Sequence, residues 1–181
     1  MPRYVAFLRA INVGGHTVKM DLLRRHFETL GFDQVETFIA SGNVVFASSA
    51  RNTASLEEKI AGHLEKKLGY EVCTFIRTEA ELARVAAHEP WSRTAIERAA
   101  AFNIAFLDRT LDQIAQRKLQ ALKTAIDDLA THEREVYWLC KTRQSKSTFS
   151  NAVLEKTLGV RSTLRGVNTV RLMAEKYPPT R

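Results

Sequence analysis

The sequence predicts an α+β fold: two tandem ferredoxin-like βαββαβ halves with an extra C-terminal helix. Three observations lead there. Apolar residues switch between strand and helix periodicity in the order strand, helix, strand, strand, helix, strand, and that order occurs twice. Helical runs are stopped by Gly31, Gly69 and Gly159. Short polar turns, Ser41-Gly42-Asn43 and His132-Glu133-Arg134, stand where each half needs a hairpin. The halves are drawn as residues 1–88 and 89–181. No residue-level repeat joins them, so the duplication is one of element order.

The elements follow in order. Tyr4–Leu8 is a strand dense in apolar side chains. Met20–Leu30 is a helix, with Leu22, Leu23, His26, Phe27 and Leu30 on one side. Gln34–Ala40 alternates, and Val44-Val45-Phe46 returns as its hairpin partner. Ser55 is expected to cap the next helix, with Glu58 completing a capping box ahead of Ile60, Leu64 and Leu68. Glu71–Ile76 is the fourth strand. Glu79–Ala87 reads as a helix and His88-Glu89-Pro90-Trp91 as a break. The second half comprises a strand at Phe102–Leu107, a helix at Leu111–Leu122, a hairpin of Asp127–Thr131 with Glu135–Leu139, a helix at Asn151–Leu158 and a strand at Val160–Leu164. The extra helix, Val167–Lys176, ends before Pro178-Pro179.

Composition bounds the function. The chain of 181 residues is 45% hydrophobic and 26% charged, ordinary for a globular protein. No apolar stretch approaches the roughly 20 residues of a membrane helix, so no membrane partner is expected. Met1-Pro2-Arg3-Tyr4 runs straight into a strand pattern, and no signal peptide is expected. Cys73 and Cys140 are too few for a disulfide scaffold and are expected to be small buried residues in a reducing compartment, hence cytoplasmic. The net charge of +7 is uneven. Residues 141–181 hold 9 Lys and Arg against 2 acids, while the preceding 140 residues balance. A basic segment of this kind is either a solvated tail or a surface for an anionic partner.

Three stretches can carry chemistry. Asn12-Val13-Gly14-Gly15 precedes a helix, and glycines accept the positive φ that lets backbone amides converge on an anion. Arg9, His16 and Lys19 bracket it with basic groups. The alternative is a wide turn whose glycines serve shape alone. Ala40-Ser41-Gly42-Asn43 is a sufficient hairpin turn by itself. A right-handed crossover places it at the same sheet end as the glycine loop, so Asn12, Gly14, Gly15, Ser41 and Asn43 can share one rim. Lys141–Asn151, "KTRQSKSTFSN", offers Lys146, Ser147 and further cations and hydroxyls without an acid. Ser150 is expected to cap the following helix, on which Asn151 and Glu155 share a face. Arg165 is placed at a strand-to-helix junction, with Asn168, Arg171 and Glu175 on one face of the last helix. A hydrophilic loop and solvated helix faces explain the same residues without a ligand.

Other chemistries lack their residues. The five histidines fall in no metal-ligand spacing, so neither a metal nor a cofactor is expected. No Gly-x-Ser-x-Gly elbow occurs. Asp127-Asp128 would be sent to opposite faces of a strand and makes a poor acid/base dyad. His26 on an apolar helix face is expected to be packed.

The stretch "YVAFLRAINVGGHTVKMDLLRRHFETLGFDQVETFIASGNVVF" resembles the N-terminal signature of the domain of unknown function 1697 family of bacteria. "SKSTFSNAVLEKTLGVRSTLRGVNTVRLM" is similar to its C-terminal signature. Two positions depart from the family pattern: Ala10 stands where Gly is usual, and Gly166 where Asn is usual. The resemblance implies a tandem ferredoxin-like fold and supplies no activity. The function expected from the residues is therefore binding of a phosphate-bearing partner, nucleic acid or nucleotide, through the basic C-terminal segment. The alternative is an enzyme acting on a small anionic metabolite held by the Gly14-Gly15 loop and Arg165.

Overall fold

A computed structural model describes residues 1–12, 14–39 and 42–180. The elements are β1 (Arg3–Leu8), α1 (Met20–Thr29), β2 (Asp33–Thr37), β3 (Asn43–Ala47), α2 (Thr53–Leu68), β4 (Thr74–Thr78), α3 (Glu79–Ala87), α4 (Arg93–Arg98), β5 (Ala101–Leu107), α5 (Gln113–Ala121), β6 (Asp127–His132), β7 (Glu135–Cys140), α6 (Asn151–Leu158), β8 (Ser162–Gly166) and α7 (Val167–Lys176), with a short 3-10 turn at Gln144–Lys146.

The strands form two four-stranded antiparallel sheets, ordered β2-β3-β1-β4 and β6-β7-β5-β8. This is the ferredoxin-like arrangement, made twice. Each crossover skips one position, so the third strand of each half lies between the first and second. The chain divides into two compact units, Met1–Ala83 with Met173–Arg181, and Arg84–Leu172.

In the first unit the alternation of β1 sends Tyr4, Ala6 and Leu8 into one core with Val44, Phe46 and Ile76. Leu23 and Phe27 of α1 and Leu56, Ile60 and Leu64 of α2 complete it. In the second unit Ala105, Leu107, Val136 and Trp138 pack with Leu119 of α5 and Leu154 of α6. Gly69 and Gly159 end α2 and α6 at φ +80° and +64°, the left-handed C-cap expected of them.

Several boundaries differ from the sequence reading. Asn52, not Ser55, caps α2: its Oδ1 accepts from the Ser55 amide, and the helix starts at Thr53. Asn is as good a cap as Ser and comes earlier in the chain. The fourth strand is Thr74–Thr78 and not Glu71–Ile76, because pairing with β1 from Tyr4↔Thr78 to Leu8↔Thr74 sets its ends. Likewise β8 runs to Gly166 through its pairing with β5. Ser92 caps the unforeseen α4 by accepting from the Ala95 amide. Asp112 caps α5, which starts at Gln113 and not Leu111.

Candidate functional site

The two turns expected to share a rim do meet in the first unit. The Leu8 amide donates to the Gly42 carbonyl, 2.8 Å, and the Arg9 amide to the Cys73 carbonyl, 2.9 Å. Gly42 has φ +77°, and a Cβ there would lie 2.6 Å from Ile11 Cγ2. Close approach therefore demands glycine. Ser41 lies outside the described residues.

The neighbouring polar groups serve the turns. Asn12 Oδ1 accepts from the Val18 amide, 2.7 Å, and closes the glycine loop upon itself. Asn43 is buried, and its Nδ2 donates to the Phe38 carbonyl, 3.0 Å. The His16 ring stacks on Tyr70 with centroids 3.8 Å apart. Tyr70 Oη donates to the Ile11 carbonyl. Gly14 and Gly15 take φ +62° and +86° with open space around their Cα hydrogens. Lys19 precedes α1 in extended conformation, is exposed, and makes no side-chain cap.

In the second unit the segment after β7 is pinned at both ends. Asp127 is buried and accepts from Trp138 Nε1 (2.8 Å), Thr124 Oγ1 (2.7 Å) and Ser147 Oγ (2.8 Å). Burial pushes its carboxyl up, but these donors outweigh that and leave it below the usual range. Phe149 packs edge-on against Trp138 at 4.9 Å. Ser147, expected at a ligand site, is thus committed to Asp127. Between β7 and that anchor, Lys141, Arg143 and Lys146 are exposed, and among the described residues none is paired with a carboxylate. Lys141 Nζ donates to the Ala125 carbonyl, 3.2 Å.

Ser150 caps α6 through the Val153 amide, as its position predicted. Asn151 and Glu155 do share a face, and they use it on Ser162. Asn151 Nδ2 donates to the Ser162 carbonyl (3.1 Å), Ser162 Oγ to Asn151 Oδ1 (2.6 Å), and the Ser162 amide to Glu155 Oε1 (2.7 Å). This clamp fixes α6 to the start of β8. Arg165 is the penultimate residue of β8, at the strand-to-helix junction, with α7 starting at Val167. It is 9% exposed and donates to Thr163 Oγ1 and the Leu164 carbonyl, each at 2.8 Å. Burial lowers its guanidinium to about 10. Arg171 pairs with Glu89 at 2.9 Å, and Asn168 is exposed on α7.

Asp127 and Asp128 keep separate partners, since Lys123 Nζ lies 2.9 Å from Asp128. His26 is not alone: its Nδ1 is 3.3 Å from His63 Nε2. Cys73 and Cys140 are free thiols; Cys140 is buried and Cys73 half-buried. Among the described residues no three His, Cys, Asp or Glu side chains are grouped to hold a metal, and no helix is long and apolar enough to cross a membrane.

Comparison with known proteins agrees with this architecture. The structure is similar to that of the conserved bacterial protein SP0830 from Streptococcus pneumoniae, with a TM-score of 0.80 at 22% identity over 99% of each chain. That likeness concerns the fold. No curated protein matches the chain. The sequence pattern of DUF1697, described as a protein of unknown function, matches residues 1–137, about three quarters of the chain. Paired glycines after β1, a hairpin turn packed on Leu8 and Ile11, and two ferredoxin-like sheets in tandem are thus features of a member of the DUF1697 family.

Proposed function

We propose that the protein binds a phosphate-bearing partner, nucleic acid or nucleotide, through the basic segment after β7. One observation carries this reading. Lys141, Arg143 and Lys146 are exposed and, among the described residues, without acid partners, on a segment held by the Ser147–Asp127 bond and by Phe149. Cations on an anchored segment lose less freedom on binding than those on a loose tail. Charge segregation supports it as well. Residues 84–172 hold 15 Lys and Arg against 9 acids, a net +6, so nearly all of the chain's +7 belongs to the second unit.

Not every basic residue of the segment contributes. Arg165 is occupied by Thr163 and Leu164, and Arg171 by Glu89. The stretch Lys141–Lys146 itself supplies three contacts, which makes binding modest and strongly salt-dependent. Three neutralised phosphates give a log–log salt slope of about −2 to −3, and a fourfold rise in salt weakens binding about 20- to 40-fold. Fluorescence anisotropy with labelled RNA and DNA oligonucleotides across that salt range is the test. The variant Lys141→Ala/Arg143→Ala/Lys146→Ala is expected to abolish the slope. Absence of binding at low salt, or an unchanged slope in the variant, rejects the proposal.

The alternative, an enzyme holding a small anionic metabolite at the Gly14-Gly15 loop, draws on the open space at both glycines. The internal bonds of Arg165 give it no support.

A further inference from the structure

The strand registers of the two halves correspond residue by residue at the end of their fourth strands. In the first half Tyr4 pairs with Thr78 and Val5 with Arg77. In the second, Asn103 pairs with Gly166 and Ile104 with Arg165. Arg77 and Arg165, both buried, thus occupy one position of the repeat, and Thr78 and Gly166 the next. Each of the latter leads straight into a helix, α3 or α7.

The first half closes this corner with its own residues. Glu81 Oε2 accepts from the Thr78 amide (2.8 Å) and from Thr78 Oγ1, while the Glu81 amide donates to Thr78 Oγ1 (3.1 Å). That is a complete capping box. Tyr4, paired with Thr78, is buried and donates to the Ala50 carbonyl, 2.7 Å.

The second half removes every one of these groups. Gly166 has no side chain to cap α7, and Thr169 replaces the carboxylate of Glu81. Asn103 replaces the Tyr4 ring, and a cavity of about 360 Å³ opens, lined by Asn103, Gly166, Val167, Asn168, Thr169 and Arg171 among others. Among the described residues nothing accepts a hydrogen bond from the buried Asn103 Nδ2. A buried amide left unsatisfied costs free energy unless something accepts from it. Phe102 and Ile96 add an apolar wall.

We propose that this cavity binds a small organic molecule through an oxyanion group, carboxylate or phosphate. The polar lining offers donors: Asn103 Nδ2 and the first-turn amides of α7, for which Gly166 supplies no side-chain cap. The oxyanion stands where the first half places the Glu81 carboxylate. The site shares no residue with Lys141, Arg143 and Lys146, so it stands or falls independently of nucleic-acid binding.

The test uses the full ¹⁵N-labelled chain, titrated with sodium acetate and, separately, with inorganic phosphate at constant ionic strength. Saturable shifts are expected at the Val167, Asn168 and Thr169 amides and the Asn103 side-chain amide. The arm that saturates first identifies the oxyanion. Gly166→Thr/Thr169→Glu rebuilds the capping box of the first half inside the second. A Cβ at Gly166 meets nothing within 4 Å, so this variant has room to fold. It is expected to melt at a higher temperature and to lose the shifts, while those of residues 141–146 persist. Non-saturating shifts, or equal shifts in wild type and variant, overturn the proposal.

Discussion

Ala10 carries a testable backbone strain. It follows β1, where Leu8 and Arg9 are already fixed by bonds to Gly42 and Cys73, and it takes φ 61°. An L-residue in the left-handed region costs roughly 1–2 kcal/mol. Glycine removes that cost but returns about 0.5–1 kcal/mol through the greater freedom of its unfolded chain. Ala10→Gly is therefore expected to stabilise the protein by about 0.5–1 kcal/mol. For a chain of this size that raises Tm by about 1–4 °C. Ala10→Val should move the other way by about 1 kcal/mol, since a β-branched residue tolerates this conformation least. Urea unfolding of the three proteins, compared at equal m-values, measures the series. An order other than Gly above Ala above Val would refute the reasoning: the turn would then not be held at positive φ in solution.

Asp127→Ala leaves Trp138, Thr124 and Ser147 without their common acceptor and is expected to cost about 2–4 kcal/mol by urea unfolding. A loss below about 0.5 kcal/mol would mean the network does not pin the segment. Stability should also depend on pH through histidine. Burial holds His26, His63 and His88 below the ordinary value of 6.5, with Lys67 adding to it at His26. Above 6.5 both folded and unfolded chains are neutral at these rings and no stability is lost. As pH falls below 6.5 the unfolded chain takes up protons first, and stability declines until the folded pKa is passed. His63→Asn should flatten the decline of the unfolding free energy below pH 6.5. An unchanged pH profile in that variant would remove the His26–His63 pair from this account.

Much of the fold is legible in local patterns. Strand alternation in Tyr4–Leu8, the helical spacing of Leu56, Ile60 and Leu64, and the stops at Gly69 and Gly159 depend on neighbours a few residues away. Ser150 as a cap is equally local. The function-bearing residues were less legible, because hydrogen-bonding side chains look alike whether they face a ligand or a neighbour. Asn12, Asn43, Ser147, Asn151 and Arg165 are all polar and near turns, yet each bonds to its own chain. Arg165 is the instructive case. It stands next to the end of β8, at the junction with α7, but its side chain is buried and bonded to Thr163 and Leu164.

By itself the amino-acid order determined the succession of elements, their ferredoxin-like class and the basic bias of the last 41 residues, because periodicity, glycine stops and charge are properties of short segments. Strand register was decided only when β1 met β4 and β5 met β8. That pairing set Asn103 opposite Gly166 where the first half has Tyr4 opposite Thr78, and so left one corner filled and the other open. Such a difference belongs to no single segment: it exists only once residues 63 to 74 positions apart lie side by side.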